Sequence, residues 1–454
     1  MYDIEPLLLH AAERDLLARR RPALSPFYAN RFASVSLLLQ RQLSEAYASA
    51  FSGHGSLRLP NGMAVSSDVS SRLLRLGFLS SDLTNHIVGH GMLALLSAID
   101  RTRFETICFA TADDRSDVRR RVVAAATYVH DARLLSHLDL ARMINHERVD
   151  VLFDLNGWTR GNRLEVLAYH PAPIQAMFHG YAATTGAPFV HFVLSDKIAA
   201  PPDLSHQFSE KMLMLPPSCL LTEHLPRKLC ADTPEGGCAD REEQRRRLGV
   251  GRHTVLLANF NSLYKIDPHT FGIWLAVLAA NPNASLWLLR LPADAEPQLR
   301  SYAARRNISG DRLLFSDLFD RREHLAVKSA ADVFADTPLY NAHSSSADAL
   351  WSGIPLVTLP GERMAARMAA SVTTSAGAAE TIARTTSEYA RIIGRLVRCA
   401  ECRRRIRHRL QKLREERLIF RLEAWMDSFQ RVVLNAVDLR LSGPGERAYH
   451  HSLS

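Results

Sequence analysis

The chain has 454 residues, of which 47% are hydrophobic and 23% charged, and a formal net charge of +9. This balance is typical of a globular protein and excludes a disordered chain, and the length predicts about two or three domains. No run approaches the roughly 20 apolar residues of a membrane helix, and the first residues lack a secretory signal pattern, so we expect a cytoplasmic or nuclear protein without a membrane span.

Residues 1–70 are predicted to form a helical N-terminal segment, with breaks at Pro22 and Pro26. Apolar strands then alternate with amphipathic helical stretches, in the order LLRLGFLSSD, NHIVGHGMLALLSAI, FETICFAT, VDVLFDLNG and FVLSD. Such alternation is typical of a parallel sheet with helices on both faces. We therefore predict a first Rossmann-like lobe at residues 71–224.

Residues 225–250 are polar, charged and glycine-bearing, and are predicted to be an exposed linker. The same alternation restarts after it with TVLLANFNSLYK, FGIWLAVLAANP, SLWLLRLP, RLLFSD, ADVFADTP and IPLVTLP. This predicts a second Rossmann-like lobe at residues 251–378. Residues 379–454 are predicted to form arginine-rich C-terminal helices that end in a loose polar tail.

The cysteines and the arginine run point to no specific site. Six cysteines are scattered over the chain, which predicts reduced thiols. Cys399 and Cys402 form a CxxC, but a zinc site would need two further ligands, so we interpret them as an incidental pair on a basic helix. The arginine-rich run at 403–417 could bind an anionic partner such as nucleic acid or lipid, although a solvated helix face is the favoured interpretation.

Polar residues directly after apolar strands are the candidate site residues, because ligands bind outside the carboxyl ends of strands in open parallel sheets. His86 follows the first strand of the first lobe, where a histidine could take a hydroxyl proton near neutral pH. Lys265 follows the first strand of the second lobe and could neutralise the charge on a departing diphosphate. A helix-capping histidine and a solvated lysine are the alternatives.

The string DTPLYNAHSSSADALW holds a third candidate group. His343, Ser344 and Ser345 open a predicted helix, whose amide groups and two hydroxyls would suit a diphosphate. Asp348 lies one turn inside and could accept hydrogen bonds from ribose hydroxyls. A serine N-cap with an acidic residue in the first turn is the alternative interpretation.

Taken together, these motifs resemble the catalytic region of the protein O-GlcNAc transferases, from about Pro22 to residue 435. The resemblance implies the GT-B fold, in which two Rossmann-like lobes face a cleft. It also implies inverting, metal-independent transfer of N-acetylglucosamine from the donor substrate UDP-GlcNAc to serine and threonine hydroxyls of protein acceptors, with no further cofactor. The matching segments are SSDLTNH, NGWTRGNRLEV, HPAPIQAMFHGYAATTGAP, FNSLYKIDP, ASLWLLRLPADAEP and REHLAVKSAADVFADTPLYNAHSSSADALWSGIPLVTLPGERMAARMAAS.

The same resemblance implies roles for individual residues. His86 would be a base or positioning group beside the acceptor hydroxyl, and Lys265 would stabilise the leaving UDP. The first lobe would be the acceptor side and the second lobe the nucleotide-sugar side. The implied nucleotide-sugar-binding residues are His324, His343, Ser344, Ser345, Asp348, Tyr264, Thr184 and Thr185.

The chain also departs from the family pattern. Ser262 stands where a glutamine is usual near the uridine, and Val327 where an arginine is usual beside the phosphates, so donor affinity is expected to differ. The helical repeats that precede this region in the family and read protein substrates are not found, which leaves acceptor recognition open, and a partner chain could supply them. Two alternatives stay open: a Spindly-type protein O-fucosyltransferase that uses GDP-fucose, and a non-catalytic protein that binds polyanions.

Overall fold

A computed structural model describes residues 5–51, 53, 59–60, 72–222, 241–317, 321–414, 416 and 420–441. Within these residues the chain forms two parallel β-sheets, one of seven strands and one of five. The first sheet contains β1 (Leu74–Ser80), β2 (Phe104–Ala110), β3 (Tyr128–Asp131), β4 (Val151–Asp154), β5 (Ile174–Met177), β6 (Phe192–Ser195) and β7 (Lys211–Met214). The second contains β8 (Val255–Asn259), β9 (Ala284–Leu289), β10 (Leu313–Ser316), β11 (Val333–Ala335) and β12 (Leu356–Val357).

Helices precede, connect and follow the strands. The described α-helices are α1 (Glu5–Leu17), α2 (Pro26–Ala29), α3 (Leu37–Ser49), α4 (Ile87–Ala98), α5 (Asp117–Ala125), α6 (His137–His146), α7 (Arg241–Arg247), α8 (Pro268–Ala279), α9 (Ala295–Ala304), α10 (Arg321–Lys328), α11 (Ser344–Trp351), α12 (Met368–Ser375), α13 (Thr386–Arg398), α14 (Ala400–Leu413) and α15 (Leu422–Leu441). Several begin at a side chain that accepts a hydrogen bond from the backbone N–H three residues on, the usual N-cap arrangement. These caps are Ser36, Ser116, Ser136, Asp267 and Thr385.

The five strands of the second sheet follow the same order as the first five strands of the first sheet. The strand order is β3-β2-β1-β4-β5-β6-β7 in the first and β10-β9-β8-β11-β12 in the second, and all pairings are parallel. Strands β4 and β8 are buried at every position, as expected for parallel sheets covered on both faces. The order reverses between β1 and β4 and between β8 and β11, where open sheets form their ligand crevices. The predicted α/β class with two Rossmann-like lobes is confirmed.

Direct contacts join the two lobes. Ser371 Oγ of α12 donates a hydrogen bond to Asp196 Oδ2, just after β6, over 2.7 Å. Arg367 Nε donates to the Ile198 carbonyl over 2.8 Å. Asp196 and Ile198 both follow the end of β6. The loop after this strand, at the carboxyl end of the first sheet, therefore contacts the second lobe.

The two helical ends of the chain also connect the lobes. In the N-terminal segment, Tyr47 of α3 packs edge-on against Trp158 of the first lobe, with ring centroids 5.4 Å apart. The carbonyl of Ala29 in α2 accepts a hydrogen bond from Arg363 Nη1 of the second lobe over 3.1 Å. At the other end, α15 returns to the first lobe, where Trp425 Nε1 donates to the Ser218 carbonyl over 3.1 Å. No described helix is both long enough and apolar enough to cross a membrane.

The second part of the predicted linker is not a linker. Residues 241–247 form α7, and Arg245 is only 3% exposed. Its guanidinium donates to Asp332 Oδ2 over 3.1 Å and to the Ala330 carbonyl over 3.0 Å, next to β11. The prediction of an exposed segment was wrong for residues 241–247. Arg245 in this helix donates hydrogen bonds to buried groups of the second lobe. Residues 223–240 and the predicted loose tail at 442–454 lie outside the described residues.

The CxxC pair also differs from the sequence prediction. Cys399 and Cys402 are joined by a disulfide, with their Cα atoms 5.3 Å apart. The prediction of reduced thiols was wrong at this pair, because Cys399 is the N-cap of α14 and faces Cys402 in its first turn. Cys108 and Cys219 are buried free thiols.

Arginines of the basic segment at 403–417 bind the protein itself. Arg403 Nη1 donates to the Val397 carbonyl over 2.8 Å, and Arg407 Nη2 donates to the Ala331 carbonyl over 2.7 Å. The first bond holds α14 to α13 and the second holds it to the second lobe, which favours the structural interpretation of the run. An anionic partner stays a prediction for the exposed side of this helix.

Candidate functional site

In the first lobe, the loops after β1 and β4 are joined by Asn156. Its Nδ2 donates to Asp82 Oδ2 over 2.9 Å, and its Oδ1 accepts from Ser80 Oγ over 3.0 Å. Asp154, at the end of β4, accepts hydrogen bonds from the backbone N–H groups of Asn156 and Gly157, although burial raises its pKa to about 7. This network fixes the loop that leads into α4.

His86 caps α4 at the end of that loop, and its side chain is half exposed. Its Nδ1 accepts a hydrogen bond from the Val88 N–H over 3.3 Å and lies 3.7 Å from Asp82 Oδ2. A neutral ring that accepts at Nδ1 carries its proton on Nε2 and can donate it to an acceptor oxygen. This geometry favours a positioning role, since a base would need the proton moved to Nδ1, towards Asp82.

In the second lobe, Lys265 lies just after β8 in a short 3₁₀ turn. Its Nζ donates to the Asn341 carbonyl over 2.9 Å and lies 4.3 Å from the centre of the Tyr340 ring. Burial lowers the pKa of Lys265 to about 7. Repulsion from Arg31 adds to this shift, and attraction by Asp336 opposes it. A lysine in such a site gains strongly from an anionic ligand.

His343, Ser344 and Ser345 lie at the start of α11, as predicted. The His343 ring stacks on Tyr340 at 5.1 Å, and its Nε2 lies 3.2 Å from the Ala365 carbonyl. Burial, with repulsion from Lys265, lowers the pKa of His343 to about 3, so the ring is neutral and donates to that carbonyl. The hydroxyls of Ser344 and Ser345 make no hydrogen bond within the described part of the chain and stay open to a ligand.

Asp348 is held by a buried lysine that the sequence did not suggest. Lys328 Nζ lies 2.6 Å from Asp348 Oδ2, and both side chains are at most 3% exposed. Val327, where an arginine is usual, is an apolar core residue. The cation next to it in the sequence therefore neutralises Asp348.

The remaining predicted residues differ in what they contact. Thr184 Oγ1 and the Thr185 N–H donate to the Glu210 carboxylate over 2.7 and 2.6 Å. Both threonines are buried, so they hold a loop of the first lobe, and this structure does not bring them to an open surface. Tyr264 lies beside Lys265 under the guanidinium of Arg31. The side chain of His324, in α10, lies outside the described residues.

His179, which follows β5, was not among the site residues predicted from the sequence. Neither ring nitrogen has a hydrogen-bond partner among the described residues, and both are closed off from solvent. Burial lowers the pKa of His179 to about 4, and the ring packs against α4, where a methyl group at Gly91 would lie 2.7 Å from its Nε2. The rule that found His86 would have found His179 if the short strand β5 had been recognised.

The structure also holds a second cation near Lys265 that no motif indicated. Arg31 follows α2 in the N-terminal segment and reaches the second lobe, where its guanidinium carbon lies 3.9 Å from the centre of the Tyr264 ring. Its sequence neighbourhood, PFYANRF, gives no sign of this. Among the described residues, no group of three or more His, Cys, Asp or Glu side chains could hold a metal ion.

Comparison with known sequences gives a family match over both lobes. A model described as glycosyl transferase family 41 matches residues 59–231 and 241–429. The chain is 31% identical to the probable UDP-N-acetylglucosamine–peptide N-acetylglucosaminyltransferase SEC of Arabidopsis thaliana, over 95% of this chain and 45% of that protein. It is 26% identical to the SPINDLY protein of the same plant, whose name gives the same activity, over 71% of this chain and 35% of that protein. The chain thus spans less than half the length of these relatives.

Solved structures agree with the fold. A mutant of the Thermobaculum terrenum O-GlcNAc transferase matches with a TM-score of 0.80 and 25% identity, over 95% of this chain and 83% of that one. The Anabaena protein HepE, in complex with UDP and glucose, matches with a TM-score of 0.52 and 12% identity, over 80% of this chain and 100% of that one. These similarities confirm the GT-B arrangement predicted from the sequence.

Proposed function

Because the chain belongs to glycosyl transferase family 41, we propose that it transfers N-acetylglucosamine from UDP-GlcNAc to serine and threonine hydroxyls of proteins. The observation that carries this proposal is the half-buried Lys265, bonded to the Asn341 carbonyl near the open hydroxyls at the start of α11. A cation and a helix N-terminus on the same crevice suit a nucleoside diphosphate. The name of the SEC relative and the match to an O-GlcNAc transferase support the choice of UDP-GlcNAc.

In this proposal the diphosphate of the donor lies against the start of α11. The hydroxyls of Ser344 and Ser345 and the helix amides donate hydrogen bonds to its oxygens. Lys265 uses one of its three N–H donors on the Asn341 carbonyl and keeps two for phosphate oxygens. Its charge offsets the negative charge that grows on the leaving UDP, so a metal ion is not required for this step.

The acceptor hydroxyl enters on the first lobe beside His86. The Nε2 proton of the neutral ring can hydrogen-bond the acceptor oxygen and hold it in line with the bond that breaks. The sugar then lies between His86 and the diphosphate. Attack from the side opposite the leaving diphosphate forms the new bond to the anomeric carbon as the bond to UDP breaks, and inverts that centre. The acceptor's proton passes to an oxygen of the departing UDP or to water.

The ribose of the donor would meet Asp348, which Lys328 neutralises in this structure. The same proposal includes protein acceptors and a partner chain that supplies helical repeats. It also includes a cytoplasmic or nuclear site of action. The support for protein acceptors is the peptide activity in the names of relatives that are more than twice as long.

Transfer to a cell lysate tests the proposal. Purified protein is incubated with labelled UDP-GlcNAc or labelled GDP-fucose, and the label on proteins is measured. We expect transfer from UDP-GlcNAc, and a loss of about 100-fold or more in Lys265→Met with the circular dichroism spectrum unchanged. Lys211→Met, which changes an exposed lysine of β7, is the matched control and should keep full activity.

Other outcomes separate the alternatives. Transfer from GDP-fucose alone would support the Spindly-type activity, and full activity of Lys265→Met would remove the assignment of the site. Salt-sensitive binding of polyanions without transfer from either donor would support the non-catalytic alternative.

A further inference from the structure

Arg31 is a buried arginine that forms no ion pair with the described residues. Its residue is 8% exposed, and its Nε is buried without a hydrogen-bond partner. None of the ion pairs or hydrogen bonds found in the described part of the chain uses its guanidinium. Removal of an arginine from water without an ion pair is unfavourable, and an anionic ligand would offset this cost.

Aromatic rings fix the orientation of this guanidinium. Its carbon lies 4.4 Å from the centre of the Tyr28 ring and 3.9 Å from that of the Tyr264 ring. Stacking of this kind occupies the faces of the planar group and leaves its N–H edges available. Those edges are the part of an arginine that binds two oxygens of a phosphate at once.

Arg31 acts on the same crevice as Lys265. Tyr264, under Arg31, is the residue before Lys265, and the charge of Arg31 is close enough to disfavour a charged Lys265. The carboxylate that attracts Lys265 is Asp336, which is already bonded to the Ala342 N–H and to Thr358 Oγ1, both over 2.7 Å. Two cations therefore face a crevice in which the nearby carboxylate is already hydrogen-bonded.

We propose that Arg31 is a second diphosphate-binding residue of the donor site, supplied by the N-terminal segment. This inference rests on the proposed function, since it takes the ligand of the second lobe to be a nucleoside diphosphate. Arg31 would supply the cation that is absent at Val327, which is buried and apolar. The hydrogen bond from Arg363 Nη1 to the Ala29 carbonyl keeps α2, and with it Arg31, against the second lobe.

Calorimetric titration with UDP and with uridine tests this role, because uridine has the base and ribose but no phosphate. In Arg31→Met we expect UDP to bind at least about tenfold more weakly, the effect of losing a charged hydrogen bond. Uridine affinity should not change. Arg31→Lys keeps the positive charge but lacks the paired N–H donors of the guanidinium. Its affinity for UDP should lie between that of the wild type and that of Arg31→Met.

Arg20→Met is the matched control, since Arg20 lies in the same segment but is exposed and paired with Asp15 over 3.0 Å. It should bind UDP like the wild type. An equal loss of UDP and uridine affinity in Arg31→Met and Arg31→Lys would show that Arg31 only supports the fold. Unchanged UDP affinity in both would also overturn the inference.

The same titrations separate this inference from the proposed function. If the wild type binds GDP and not UDP, the proposed donor is wrong, and GDP with guanosine then tests Arg31 by the same criterion. If the wild type binds no nucleoside diphosphate, both the proposed function and the role of Arg31 are wrong.

Discussion

The proposed role of Lys265 predicts how UDP binding changes with pH. Burial lowers its pKa to about 7, so the ammonium is lost as the pH rises above that value in the free protein. A bound diphosphate favours the charged form, so UDP binding should take up a proton above about pH 7 and weaken as the pH rises. Titrations between about pH 7 and 9, above the titration of a terminal phosphate near 6, isolate this effect.

Buffers of different ionisation enthalpy measure the proton uptake directly. Lys265→Met lacks the titrating group and should bind UDP weakly at every pH in this range, without that uptake. An affinity of the wild type that stays constant across the range would contradict the assignment of Lys265 as a diphosphate ligand.

The buried pair of Lys328 and Asp348 should matter for stability. Lys328→Met leaves the Asp348 carboxylate buried without the cation 2.6 Å away, which typically costs about 3–5 kcal/mol. Urea unfolding should show this loss. The double variant Lys328→Met with Asp348→Leu replaces both charges with apolar groups and should recover most of the stability. A single variant as stable as the wild type would show that the pair is not formed.

At the scale of elements, two glycines in helices have opposite expected effects. A methyl group at Gly89 of α4 would lie 2.1 Å from the Thr84 carbonyl oxygen, in the loop that carries His86. Gly89→Ala should therefore lower stability by about 1–3 kcal/mol and reduce transfer. Gly272 of α8 has no atom within 4 Å of the added methyl group, so Gly272→Ala should raise stability by about 0.5–1 kcal/mol.

Urea unfolding of both glycine variants, with a transfer assay on each, measures these effects. Equal stability of the two proteins would contradict the close approach of α4 to its preceding loop.

The elements that sequence analysis found were those with long apolar runs. Strand β8 is buried throughout and was recognised, as was β1. Strand β3 (Tyr128–Asp131) lies at the sheet edge with exposed or half-exposed side chains, so it has no apolar run to recognise. Strand β5 (Ile174–Met177) has its short apolar run interrupted by Gln175, and it was not predicted.

The residues of the candidate site also divide into those that the sequence could predict and those that it could not. Lys265 and His343 could be predicted, because each lies in the loop between a strand of the second lobe and the following helix. Arg31 and the partner of Asp348 could not, because they depend on contacts between distant parts of the chain. The guanidinium of Arg31 meets Tyr264 more than 200 residues away in sequence. A pattern within one segment holds no information on such a contact.

At the scale of the whole molecule, α15 stabilises a lobe to which it does not belong in sequence. Trp425 is buried, stacks on Phe429 with ring centroids 5.4 Å apart and bonds to the Ser218 carbonyl. Trp425→Ala should lower the free energy of unfolding by about 3–5 kcal/mol. Hydrogen exchange should rise in β5 and α4 of the first lobe more than in β8 of the second.

Leu134→Ala, at an almost fully exposed leucine, is the control and should change stability by less than about 0.5 kcal/mol. Faster exchange in the second lobe alone would show that α15 is not part of the first.

The return of α15 also sets an order of events during synthesis on the ribosome. The last strand of the first sheet ends at Met214, but the helix that covers Phe178 begins at Leu422. The ribosome adds about 5–20 residues per second, so roughly 10–40 s separate these two points. For that time the nascent first lobe exposes the aromatic surface that α15 later covers, and it must avoid aggregation or be held by a chaperone.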